Sequence, residues 1–368
     1  TRLDGTPAWP MTGHDPQHRS RTHAVGPTAP DVKWSVAAEL LAPPVIDARG
    51  LIYIAARAGG SGITVRAIEP ITGAERARLT LGGFTTAELA IAPDGTVFAG
   101  GAGASLVAID PDLRAVQRTL PCPQAHPRLT VDADGTAWAT CGPDNLLTAF
   151  TPSTNAPVWR STTPLDLAGF GDGDTIYAVG APPTPDAGTL LAFTPNHTPR
   201  WRAGTALVPG PFAVIGDSDA PLAIEAGVDG THLLSFDPAT GARRFRADLD
   251  EPPAFAPSIG WSGVAHVMLG RHILAIRDDG HIAWVYAAEL SSDRFLTSIA
   301  DGDDAIYALG EQGEEGHALV LISFTATGRE RYRVTLDPTI AQVPLGLALG
   351  EDGHLYAAGS ARLYAIGR

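Results

Sequence analysis

Eight times along this chain an apolar hairpin is followed by a stretch of the form A-I-D-P-x-T-G-x-x-x-W. The hairpin half is a polar turn and a short apolar strand that carries an aromatic. It reads "DARGLIYIAA" around Tyr53, "APDGTVFAG" around Phe98, "DADGTAWAT" around Trp138 and "GDGDTIYAVG" around Tyr177. It degenerates at "GDSDAPLAIEA" around Ala223 and "GWSGVAHVML" around His266, then recovers around Tyr307 and Tyr356. Asp-Gly pairs supply the backbone conformations that tight hairpins demand. The flanking residues alternate over short spans, as strands between apolar layers do.

The second half of each unit gives an apolar strand, a polar turn with Pro or Gly, and a further strand. Examples are "VRAIEPITGAERARL" at 65–79, "LLSFDPATGARRFRA" at 233–247 and "LISFTATGRERYRVT" at 321–335. Four strands per repeat, at a period of about 43 residues, is the length of one propeller blade. Helical solenoids need apolar residues at i, i+3, i+4 and i+7, and no such run is present. The last unit stops after "ARLYAIGR", one strand short, and the missing strand stands at the other end as "DVKWSVAAEL". Trp34 there matches Trp159, Trp201 and Trp284 of the internal repeats.

The expected fold is therefore all-β: an eight-bladed β-propeller of four-stranded antiparallel blades, closed by strand 32–38 joining the C-terminal blade. Residues 1–31 form a leader packing on the propeller, and 32–368 form the ring. Seven blades is the competing count, because the fifth and sixth repeats are degenerate. Removing 32–38 is expected to harm folding more than removing 1–8.

Composition narrows the partners. A formal charge of −14, from 26 basic and 40 acidic side chains, repels a phosphate backbone, so nucleic acid is not expected. Lys33 is the only lysine, which leaves Schiff-base chemistry one residue inside the closing strand. No run of about twenty apolar residues exists, so no spanning helix is expected. Residues 1–6 do not read as a signal peptide, and an upstream signal or lipid anchor stays open. Cys122 and Cys141, the only cysteines, come to the same end of one hairpin if the strands around "DADG" pair. A disulfide there points to an oxidising compartment: periplasm, outer-membrane attachment or exterior.

The repeats resemble the quinoprotein-type propeller, whose blades carry A-x-D-x-x-T-G-x-x-x-W; "AIDPDLRAVQR", "SFDPATGARRF" and "AIEPITGAERA" match it best. The resemblance implies that Trp34, Trp159, Trp201 and Trp284 dock between blades, with Phe245 and Tyr332 standing in where tryptophan is expected. It implies outer turns at Thr72–Gly73, Thr240–Gly241 and Thr327–Gly328. The family includes dehydrogenases that hold pyrroloquinoline quinone beside calcium or a lanthanide, several stacking the quinone on a vicinal disulfide. It also includes a cofactor-free periplasmic lipoprotein that assists outer-membrane barrel assembly. This chain lacks adjacent cysteines and long insertions, and no Glu-Asn-Asp metal set falls at matching positions.

Candidate sites follow from the loops. Loops leaving each second strand share one mouth of a propeller, which places Arg57, Asp144, Asp186, Glu311, Glu314 and Glu315 on one charged rim. Such a rim suits a protein or peptide partner or a divalent ion, and ordinary hydrophilic loop decoration is the plainer reading. The aspartate-rich turns lack the six to eight oxygens of a calcium site and read as Asx hairpin turns. His14, His18 and His23 beside Asp15 have poor zinc spacing, and Trp9 with its neighbours is expected to cover the bottom of the disc. No Gly-x-Ser-x-Gly elbow, P-loop or dinucleotide motif occurs. The expected function is a non-catalytic, extracytoplasmic protein-binding or scaffolding propeller without a cofactor. The alternatives are a small quinone- and calcium-dependent alcohol or sugar dehydrogenase, and a carbohydrate-binding propeller.

Overall fold

Every strand begins or ends within a few residues of a turn signal, so the chain folds as a succession of short meanders. The structure is a computed structural model. It describes all residues except 1–6, 124–128, 152–153, 181–187, 205–206, 208–212, 215–217, 254, 289–293, 313–317, 339–340 and 368. Among the described residues there are six four-stranded antiparallel sheets and one of seven strands, and the single helical turn is Asp172–Asp174. The sheets follow one another along the chain as 45–82, 88–119, 129–203, 213–249, 258–287, 294–336 and 344–367. The seven-stranded sheet arises because one strand, Trp159–Phe170, serves two sets. Its first half pairs with Leu146–Phe150 and its second half with Ile176–Gly180.

The strand Asp31–Ala37 does not join the sheet that follows it. It pairs antiparallel with Arg362–Gly367, so that Asp31 faces Gly367 and Ala37 faces Arg362. Trp34 stands opposite Ala365 and meets the ring of Tyr356 beyond it, with centroids 5.8 Å apart.

One rung recurs in every set and explains the repeat motif. It runs Thr130–Trp138–Ala149–Trp159, then Gly169–Tyr177–Ala192–Trp201, Ser258–His266–Ala275–Trp284 and Ala348–Tyr356–Ala365–Trp34. The third place is small throughout: Ala67, Ala108, Ser235 and Ser323 fill it in the remaining sets. Because that side chain is small, the rings of the second and fourth strands meet over it. Their centroids lie 5.6–5.8 Å apart in four sets, within the range where aromatic pairs add attraction beyond area burial. In the degenerate fifth repeat the rung passes through Leu222, facing Ser235 and then Phe245, rather than through Ala223. Neighbouring sheets bury these faces together, as where Val45, Tyr53 and Val65 share a core with Leu89 and Val97.

Candidate functional site

The aspartates of the hairpin turns are structural. Asp47, Asp132 and Asp301 each accept, at Oδ1, backbone N–H groups two and four residues on: Arg49 and Leu51, Asp134 and Thr136, Asp303 and Ala305. Their Oδ2 atoms take the polar tip of the aromatic six residues on. Tyr53 Oη donates at 3.1 Å, Trp138 Nε1 at 3.0 Å and Tyr307 Oη at 3.1 Å. Each turn thus spends its carboxylate on an Asx hairpin and an aromatic anchor. Burial holds the Asp132 carboxyl above its ordinary range despite the hydrogen bond from Trp138.

The fourth-strand aromatics reach the next sheet. Trp34, Trp201 and Trp284 donate Nε1–H to Pro70 O, Pro238 O and Ala326 O at 2.9–3.0 Å. Their indoles lie against Gly73, Gly241 and Gly328 so closely that a Cβ there would fall 2.5–2.7 Å from ring carbons. Phe245 covers Gly280 in the same way. Trp159 instead stacks on His197, with centroids 4.7 Å apart and planes 10° off parallel; His197 takes φ 64 at its turn. Tyr332 has no following outer turn to reach, and its Oη donates to Pro27 O at 3.2 Å. The leader therefore supplies the carbonyl that a turn supplies elsewhere.

The leader runs across one end of the inner strands. Trp9 bridges Ile46, Pro10 O accepts from Ile91 N, and His18 Nε2 lies 2.9 Å from Thr130 Oγ1. On later strands, Pro16 O accepts from Phe170 N, Arg19 O from Ile259 N and Ser20 O from Ala300 N. These six contacts engage inner strands of five sheets, and those at Thr130 and Phe170 fall in the two halves of the seven-stranded one. Trp9 and Met11 are buried, and Arg21 lies over the Trp261 ring at 4.0 Å while His23 stacks on it at 3.8 Å. A cavity of about 440 Å³ lies among Pro7, His14, Asp15, Arg19, Trp261 and Glu351. Burial raises the Asp15 pKa, but nearby His14 and Arg19 outweigh it and hold that carboxyl down at about 2. His14 Nδ1 lies 3.8 Å from Asp15 Oδ2, and Arg19 Nε donates to the same oxygen at 2.7 Å. The three leader histidines are thus dispersed to Trp9, Thr130 and Trp261.

Three of the six rim residues are described. Arg57 pairs with Glu39 at 2.5 Å, Asp144 is exposed in the turn after Cys141, and Glu311 stands opposite Arg294 in its ladder. They belong to three different sheets. Asp186, Glu314 and Glu315 lie outside the described residues. Cys122 and Cys141 are bridged, with Cα atoms 4.9 Å apart, and tie the segment entering one inner strand to the end of the next strand. Among the described residues no group of three His, Cys, Asp or Glu side chains converges to hold a metal. The bridged cysteines are 19 residues apart, not neighbours. The tryptophans are engaged within the chain, Trp9 and Trp138 by burial and the others by the contacts above.

Sequence reasoning missed the leader's role at Tyr332 and the clamp at Trp261. A tyrosine in a tryptophan position, ahead of the only unit without an outer turn, was the available signal for the first.

No family model matches the chain, and no curated protein matches it. Solved structures do. BamB from Moraxella catarrhalis superposes with a TM-score of 0.65 at 14% identity, over 92% of this chain and 100% of that one. Quinohemoprotein alcohol dehydrogenase from Comamonas testosteroni gives 0.66 at 13% identity, over 100% and 81%. The C-terminal WD40 domain of Sif2 gives 0.64 at 11% identity, over 92% and 99%. The resemblance read from the repeats holds as a likeness of fold. At these identities fold is what the likeness establishes: an all-β propeller architecture, similar to that of BamB, a quinohemoprotein dehydrogenase and a WD40 domain.

Proposed function

We propose that this protein is a non-catalytic, extracytoplasmic propeller that binds a protein or an extended peptide. In this reading the sheets are eight four-stranded blades, the seven-stranded sheet counting as two that share a strand. Asp31–Ala37 closes them into a ring, with residues 1–31 as leader and 32–368 as propeller. The observation that carries the reading is the leader's path. It occupies the inner-strand ends of one face, which leaves the opposite loops, with Arg57, Asp144, Asp186, Glu311, Glu314 and Glu315, and the outer blade edges for recognition. The Cys122–Cys141 bridge supports an oxidising compartment. No helix among the described residues is long and apolar enough to cross a membrane.

The competing reading, a small quinone dehydrogenase, is tested directly. Metal-stripped protein is titrated with pyrroloquinoline quinone plus calcium, following tryptophan fluorescence and dye reduction with an alcohol and sugar panel. No saturable binding is expected. Micromolar binding with calcium-dependent dye reduction overturns the scaffold reading.

A further inference from the structure

The outermost strand of each set leaves one row of backbone N–H and C=O groups without a ladder, and proteins keep such edges solitary with charged side chains. Along this chain the outermost strands carry them. Lys33, Arg78, Arg118 and Arg160 sit in four, and Arg202, Arg246 and Arg333 in three more. The strand Ile282–Ala287, sequence IAWVYA, carries none. It ends its sheet, and among the described residues no strand or bridge pairs with its outer side.

Its side chains divide cleanly. A register shift lets Ile282, Val285 and Ala287 face Ile276, Leu274 and His272, so those three share one face, while Trp284 and Tyr286 share the other. The second face is spent: Trp284 docks on the next sheet, and Tyr286 meets Phe324 edge-on at 4.7 Å. The first is open, with Ile282 50% and Val285 55% exposed. Just before the strand stand two half-exposed carboxylates, Asp278, 3.9 Å from Arg244, and Asp279, 3.3 Å from His281.

We propose that Ile282–Ala287 is a docking edge on which one extended segment of a partner protein adds as a further strand. This rests on the scaffold reading and names its surface. Main-chain hydrogen bonds supply affinity, and the row Ile282, Val285 and Ala287 selects apolar, β-branched residues at alternate positions. Charge fixes the kind of occupant. A net charge of −14 opposes a second copy of the chain and attracts a segment with basic flanks, which the two aspartates receive.

The probe is a synthetic peptide of alternating valine and threonine with a lysine pair at each end, added to the full chain and followed by amide hydrogen exchange. Outward-facing amides of 282–287 are expected to slow roughly tenfold or more at saturation, with the other outermost strands unchanged. Val285→Lys, checked for an unaltered melt, is expected to abolish that protection, and Val285→Thr to retain it. Equal protection of all outer edges, protection of none, or protection that survives Val285→Lys overturns the proposal. So does concentration-dependent protection without peptide in a chain that sediments as a dimer, which makes a second copy the occupant. The quinone titration judges the scaffold reading separately: a silent peptide with no quinone binding sinks this edge alone.

Discussion

At the scale of single residues, the fold depends on contacts between bulky rings and positions that tolerate no side chain. Gly241 shows this most sharply. It takes φ 71, and a Cβ there would come within 2.6 Å of the Trp201 ring. Gly241→Ala is expected to cost about 2–3 kcal/mol, from backbone strain and lost docking together. Gly82→Ala meets nothing within 4 Å and is expected to stay within about 0.5 kcal/mol. Urea unfolding of the two variants checks the contrast. His266 fills a rung position held by Tyr, Phe or Trp in most sets, and burial pushes its pKa down to about 4. The unfolded chain protonates this histidine below about 6.5 while the folded chain does not. Stability is therefore expected to fall as pH drops from about 6.5 to about 4, by roughly 3 kcal/mol from this residue. Denaturation midpoints across that range should lose this slope in His266→Phe.

At the scale of elements, much was legible because the repeat motif encodes the rung itself. The alanine of A-x-D marks the small third-strand place, and the tryptophan three residues past T-G-x marks the ring that closes over it. Where Phe245 replaces tryptophan the docking contact survived, since any large flat side chain can cover a glycine. The fifth repeat misled by one residue because Leu222 has no ring to mark it, and a one-residue slip in a strand exchanges faces. Trp159–Phe170 was not legible as one strand, since Pro164 reads as a break. The ladder shifts register beside it, and a bulge is where a strand accommodates proline. The cysteine bridge was readable from hairpin geometry. Replacing Cys122 and Cys141 by serine is expected to lower stability by about 3 kcal/mol, the chain-entropy value for a loop of this size. Denaturant titration of the double variant under non-reducing conditions measures it.

At the scale of the whole molecule, the strand Asp31–Ala37 pairs with Arg362–Gly367 across the length of the chain. Deleting 32–38 removes Trp34 and strips Arg362–Gly367 of its partner. Cooperative unfolding is expected to be lost, by circular dichroism and calorimetry. Deleting 1–8 spares Trp9, Met11 and the Trp261 clamp, and a melt lowered by only a few degrees is expected.

The pairing of Asp31 with Gly367 places the two ends of the sheet-forming chain about 5 Å apart. In the other sheets a short turn joins the third strand to the fourth; here that joint is open, and the carbonyl of Pro27 stands where the turn would be. That joint is thus equivalent to the outer turns of the other sheets. A short linker from Gly367 to Asp31, with new termini opened in another outer turn, should give a circular permutant with the same sheets. The leader would then be a detached strap, to be added back as a separate peptide.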